Sequence, residues 1–482
     1  MTYSKQRLRE ITALKREAVR RIQTDIVEIH PSPTRKYIHE FNREFQAFES
    51  VCQPDEILRA ANRANLVWIG DYHALGASQG YAVSLLKELV SSKKTVALAV
   101  EPVFARNQKI LDAWMAGTIS EQEFLDRVRY YEEWGCDWQS YKTIFNTARE
   151  LHIPVYGVDC HPRNDMRSIG RRDLGVARRI ARLMERHPEQ TLVVLFGESH
   201  LASNHLPGRV RTILERKEIP FKELMILQNV DALYWKLEEA GLGEARAVRI
   251  RHDCYCVFNA TPIEKYESFR QYLHKCIEED SSGDWTLVAQ TLMEVMMDFL
   301  SMKKNDAVVS HMPVPDEFRL AQAAEEFARR IHQACRGELD NPIEREAHDE
   351  FFVKVIENGL GYFCSKLLDS SRDGIESLAE RVLGQIGRND QLTRAIELLV
   401  DPGKHPRTQH FAALRSAIEA KAGKQKTTRM LGQLLGYALG RRLYLAYLQS
   451  RISRKEIQAL FHDPLDTPRR PLECYRELTS RY

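Results

Sequence analysis

The sequence has no Cys-x-x-Cys, and its nine cysteines are scattered without a repeated spacing. That pattern excludes a disulfide framework and fits a reducing compartment. A membrane span needs ~18–20 uninterrupted apolar residues, and none is present. The best candidate, "LGQLLGYALGRRLYLAYL", is split by Arg441 and Arg442. The opening "MTYSKQRLREITALKREAVRRIQ" is charged throughout and has no apolar signal core. Nor is there an excess of one charge. Seventy Lys and Arg stand against 67 Asp and Glu, a net of +3. That balance gives no overall pull toward nucleic acid or an anionic membrane. The expectation is a cytoplasmic protein with a small-molecule ligand.

What the chain does have is a change of pattern. Residues 4 to 29 read as an amphipathic helix, with Leu8, Ile11, Leu14, Ala18 and Ile22 at three- and four-residue steps. "HPSPTRK" breaks it, and two short helical stretches follow up to Ala64. Short apolar runs then alternate with amphipathic segments. The runs are "LVWIG" (66–70), "TVALAV" (95–100), "PVYGV" (154–158), "TLVVLF" (191–196) and "FKELMIL" (221–227), with two more strands expected at 246–250 and 254–258. Continuous apolar strands are covered on both faces, as in a parallel sheet flanked by helices. After about Thr261 the strand signal ends. The predicted fold is α/β, mostly parallel with helices on both faces, followed by an all-helical C-terminal domain. The boundaries read as 1–64, 65–260 and 261–482.

Several features read as packing. The basic runs "RRDLGVARRIARLMER" and "ALGRRLYLAYLQSRISRK" read as solvated faces of helices. Cys254 and Cys256 fall on one face of a strand as small hydrophobes. Met293, Met296, Met297 and Met302 read as core filling. Gly432, Gly436 and Gly440 read as a close helix contact.

In an open parallel sheet, ligands bind outside the carboxyl ends of the strands. The first strand ends in Gly70-Asp71-Tyr72-His73 and the fourth in Gly197-Glu198-Ser199-His200, with His205 a turn later. Glu101 follows the second strand, Asp159 and His161 follow the third, and Gln228-Asn229 follow the fifth. Glycine at a strand end permits a sharp turn or a close ligand. Two histidines with Glu101 between them make a ligand set for a divalent cation such as zinc, iron or manganese. Asp71 and Glu198 would orient the imidazoles.

Four segments carry a family resemblance: "IGDYHALGASQ", "VEPVFARNQKILDAWMAGTISEQEFL", "EWGCDWQSYKTIFNTARELHIPVYGVDCHPR" and "FGESHLASNHLPGRV". Together they resemble the ChaN-like haem-binding domain of the Tiki superfamily, which is related to Tiki and TraB metalloprotease-like proteins and to erythromycin esterases. The resemblance implies haem binding with a tyrosine as iron ligand. Tyr72, Tyr130, Tyr131 and Tyr141 stand near the rim. From the Tiki-like members it implies a metal on His73, Glu101 and His200. Against the family pattern, Asp71 stands where Glu is usual, the lipobox cysteine is missing, and more than 200 helical residues follow.

The first functional expectation is a haem- or iron-binding protein with Tyr72, His73, Glu101, His200 and His205 at its cofactor site. The second is a metal-dependent hydrolase of an ester or peptide bond, with Glu198 or Asp71 as general base. The third is a non-catalytic interaction protein, whose C-terminal helices would meet a second copy or another partner.

Overall fold

The computed structural model describes residues 3–29, 35–160, 169–277, 286–302, 320–338, 343–369, 372, 374–386, 390–421 and 425–482. Its sheet has eight strands: β1 (Ser50–Val51), β2 (Leu66–Asp71), β3 (Val96–Phe104), β4 (Val155–Asp159), β5 (Thr191–Gly197), β6 (Glu223–Gln228), β7 (Ala247–Arg251) and β8 (Cys254–Val257). The order across the sheet is β1-β7-β8-β6-β2-β5-β3-β4. The six strands from β8 to β4 run parallel, and β7 is antiparallel to both β8 and β1. The fold is therefore α/β with a mostly parallel sheet and a helical C-terminal region.

Strand alternation explains the unbroken apolar runs. Val67, Ile69, Leu98, Val100, Val193 and Leu195 pack on one face, with helices Pro54–Arg63, Gly76–Ser91 and Trp138–Glu150. Leu66, Trp68, Ala97, Ala99, Val194 and Phe196 pack on the other, with helices Arg35–Glu44, Ile169–Arg186 and Leu206–Arg216. Neither face meets water, so neither needs polar residues. Truncating the fully buried Trp68 to alanine would cost about 3–5 kcal/mol.

Two expectations at the strand ends are corrected. Glu101 does not follow its strand. It lies inside β3, which continues to Phe104 past a register shift between Val100 and Phe104. Gly157 on β4 accommodates that shift, since a Cβ there would stand 2.6 Å from the Val103 carbonyl oxygen. The two motif glycines are not turn residues either. Gly70 lies within β2 and Gly197 closes β5, and neither has positive φ.

The chain forms two compact units. One comprises Gln23–Leu237 and Ala245–Gly283; the other comprises Met1–Ile22, Glu238–Glu244 and Asp284–Tyr482. Helix Pro262–Ile277 thus packs with the α/β unit, although its sequence continues the helical half.

In the second unit, helix Gln425–Leu448 lies against helix Ala347–Leu368 along its glycine row. A Cβ on Gly440 would stand 2.4 Å from the Gly359 carbonyl oxygen, and one on Gly436 2.8 Å from that of Val355. Met293, Met296 and Met297 are core residues. Arg442 corrects the solvated-face reading of its run. It is buried, and its guanidinium donates to the carbonyl oxygens of Leu398, Leu399, Asp401 and Lys404. Those include the last carbonyls of helix Asp390–Val400, which have no partner within the helix. Among the described residues the cysteines are free, and no helix is long and apolar enough to cross a membrane.

Candidate functional site

Parallel registry brings the two Gly-x-x-His segments side by side. Asp71 pairs with Gly197 across β2 and β5, and β3 borders β5 on its other side. The chain then leaves the two strands differently. After β2 it makes a turn closed by the Leu75 amide donating to the Tyr72 carbonyl, and His73 sits in that turn. After β5 it winds into a short 3-10 helix, Glu198–Leu201, which carries His200.

His73 is anchored from within its own motif. Its Nδ1–H donates to Asp71 Oδ2 at 2.8 Å. Asp71 is buried and also accepts from the Tyr141 hydroxyl and from Gln79 Nε2. A carboxylate accepts and cannot donate, so this contact places the proton on Nδ1 and leaves the lone pair on Nε2. The His73 side chain keeps 32% of its surface exposed. Its Nε2 lies 3.8 Å from Glu101 Oε2, and the edge of Trp134 meets the ring at 4.5 Å between centroids. Burial works to lower the His73 pKa. The hydrogen bond to Asp71 and the charges of Glu101 and Asp71 outweigh it, and the net shift is upward.

Gly197 leaves the gap between His73 and Glu101 tight but open. A Cβ there would stand 3.2 Å from both His73 Nε2 and Glu101 Oε2. A side chain there would make His73 or Glu101 give way by a few tenths of an ångström.

Glu101 is held on both oxygens. Arg172 Nη2 donates to Oε1, and the Gly197 amide donates to Oε2 at 2.6 Å. Arg172 also grips Asp159, at 2.7 Å from Nε and 3.0 Å from Nη2. Burial opposes the guanidinium charge, but these two carboxylates raise its pKa above the ordinary value. Arg172 and Asp173 belong to "RRDLGVARR", read from sequence as a solvated face. Both are buried, which corrects that reading for this end of the helix. A carboxylate needs a buried cation partner to stay charged away from water, and Arg172 serves two.

His200 is anchored from outside its motif. It is buried, and its Nδ1 donates to Asp173 Oδ1 at 2.7 Å. Asp173 Oδ2 accepts from the Tyr37 hydroxyl at 3.1 Å. Phe196 meets the His200 ring edge-on. His205 stacks on Tyr37 at 3.8 Å between centroids. Both nitrogens of His205 are taken up by protein contacts, Ser199 O at 3.1 Å and Glu40 Oε2 at 2.5 Å, so neither faces open space where a ligand could reach it.

Glu198 turns away from both histidines to Lys265, 2.9 Å distant. Lys265 also donates to the Asn229 carbonyl and lies 4.8 Å above the centre of the Tyr72 ring. Burial raises the Glu198 pKa and Lys265 only partly offsets it. Its Oε2 is buried without a hydrogen-bond partner among the described residues. Lys265, Arg172 and Asp173 escaped the sequence reading because each sits on a helix distant in sequence from the strand end it serves.

Of the four tyrosines singled out from sequence, Tyr130 and Tyr141 are enclosed, Tyr72 is half-buried and Tyr131 is 59% exposed. His161 lies outside the described residues. Gln228 donates to the carbonyls of Gly70 and Ser78, and Asn229 Nδ2 to Asn259. Among the described residues, no group of three or more His, Cys, Asp or Glu side chains is arranged to hold a metal ion.

Residues 57–176 match the family of haem-binding uptake proteins, Tiki superfamily, ChaN. This stretch is ChaN-like. The match contains Asp71-Tyr72-His73, Glu101 and Arg172 and stops before Gly197. A solved structure of cofacial heme binding to ChaN of Campylobacter jejuni is 12% identical to this chain. It covers 37% of this chain and 86% of its own, with a TM-score of 0.27. No curated protein matches the chain.

Proposed function

We propose that the carboxyl-end rim of the sheet binds haem, with His73 as the imidazole presented to it. The observation that carries this reading is the anchoring of His73. Its Nδ1–H is fixed by Asp71, its Nε2 keeps a lone pair, and a third of the side chain is open. A carboxylate behind an imidazole fixes the tautomer and strengthens the other nitrogen as a donor. Haem iron accepts such an imidazole or a tyrosine phenolate.

The other candidates are less suited. His205 has no free nitrogen, and both oxygens of Glu101 are engaged. Tyr141 donates to Asp71, and burial holds its phenol well above the ordinary pKa. Tyr131 remains as an exposed phenol and Tyr72 as a half-buried one whose pKa burial also raises, and Trp134 supplies an aromatic wall beside His73. Asp71 and Tyr141 hold the ring, and Gly197 keeps the approach clear. Bound haem would supply an iron centre able to accept the His73 imidazole.

The test is absorbance on adding haemin to the native chain. A shifted Soret band is expected, lost in His73→Ala and altered in Tyr72→Phe or Tyr131→Phe. A spectrum that stays that of free haemin, or a full shift in His73→Ala, would overturn the reading.

A further inference from the structure

The opposite edge of the same sheet holds a cavity of about 620 Å³. It opens at the amino ends of β2 and β6, beside the β7–β8 turn and the last turn of helix Pro54–Arg63. Six strand residues at roughly 3.3 Å each separate that edge from the rim of His73. The volume falls within the range of small-molecule sites.

Its walls divide by chemistry. Phe221, Met225 and Cys254 give an apolar side. Burial raises the Cys254 thiol to about 12, which keeps it neutral. The polar side carries four cations, Arg63, Arg211, Lys222 and Arg251, against the two carboxylates Glu223 and Asp253.

The carboxylates are already committed. Glu223 takes the Trp68 indole N–H at 2.6 Å on one oxygen and Arg211 Nε at 3.2 Å on the other. Asp253 pairs with His252 at 2.7 Å. Arg251 is drawn to Glu44 at 2.9 Å and to Ser203 at 3.0 Å. Arg63 and Lys222 have no carboxylate partner among the described residues. Arg63 ends its helix, where a cation complements the carbonyl end. That role leaves all five guanidinium N–H groups available. Two uncompensated cations in a concave, partly apolar setting concentrate a positive field.

We infer that this cavity binds a small phosphate ester whose organic body lies on Phe221 and Met225 while Arg63 and Lys222 hold the phosphate. Guanidinium and ammonium donors suit phosphate oxygens, and Arg does so bidentately. The size fits a mononucleotide. This site is independent of the haem reading, because it shares no residue with the rim.

Titration calorimetry of the full chain tests it, with adenosine 5′-monophosphate, adenosine and inorganic phosphate as probes. The monophosphate is expected to bind, and adenosine to bind roughly tenfold or more weakly for want of the charge-assisted bonds. Arg63→Ala with Lys222→Ala should weaken the monophosphate by a similar factor or more, with an unchanged circular dichroism spectrum. Lys222→Glu alone should do the same. His73→Ala should leave binding intact. Absence of heat from the monophosphate at millimolar concentration, equal binding of adenosine, or full binding by the double variant would each overturn the inference.

Discussion

His73 and His200 have the same spacing from a strand-terminal glycine and opposite surroundings. His73 draws its carboxylate from two residues back and remains a third exposed. His200 draws its carboxylate from Asp173, on helix Ile169–Arg186, and is enclosed by Phe196 and Tyr37. The backbone after the strand decides this. A turn leaves His73 beside the helices of one sheet face, and a 3-10 turn delivers His200 to the helices of the other. Shared letters therefore do not mean shared roles. One histidine is presented and the other is built in.

The largest expected effect that would break this comparison is spectroscopic. His73→Ala should abolish the Soret shift on haemin addition, and His200→Ala should retain it. The reverse result would exchange the two roles. The next is energetic. Asp173→Ala leaves the His200 Nδ1–H and the Tyr37 hydroxyl buried without their acceptor, at a cost of about 2–4 kcal/mol in urea unfolding. A cost under ~1 kcal/mol would mean His200 is not a packed structural group. Tyr37→Phe removes one of those bonds and should cost about 1 kcal/mol by the same measurement.

The smallest effect is in pH. The folded pKa of His73 is raised above its ordinary 6.5. Its contribution to stability is full below 6.5 and is lost as pH rises through the raised value. Exposure of the ring reduces that contribution through solvent screening. Unfolding midpoints taken at steps from pH 6 upward should fall less in His73→Gln than in the native chain. An identical slope would remove Asp71 as a charge partner.

The strands were legible because their signal is local. Five apolar runs and two later ones all became strands, and the alternation implied a shared rim, but it did not carry the strand order that makes the two motif strands neighbours. The two-residue β1 was too short to leave a pattern. The partners at the rim were not legible, for a different reason. Arg172, Asp173 and Tyr37 sit in segments whose spacing reads as ordinary amphipathic helix, and only the tertiary fold turns them toward the strand ends. Glu101 was recognised, but its burial beside Arg172 could not be read from the residues near it. Lys265 was hidden in the same way, in a helix whose sequence continues the helical half.

Arg172 has a consequence for how the rim responds to ionic strength. The backbone ladder between β3 and β4 is interrupted after Val100, and the guanidinium spans the two strands there by holding Glu101 and Asp159. Exposed pairs such as Arg127 with Glu123 are screened by dissolved ions within about 8 Å at physiological salt. The three charges at Arg172 are closed to those ions, with side-chain exposures of 9% or less. The separation of these two strand ends, and with it the position of Glu101 beside His73, is therefore set by a clamp that salt loosens far less than an exposed pair.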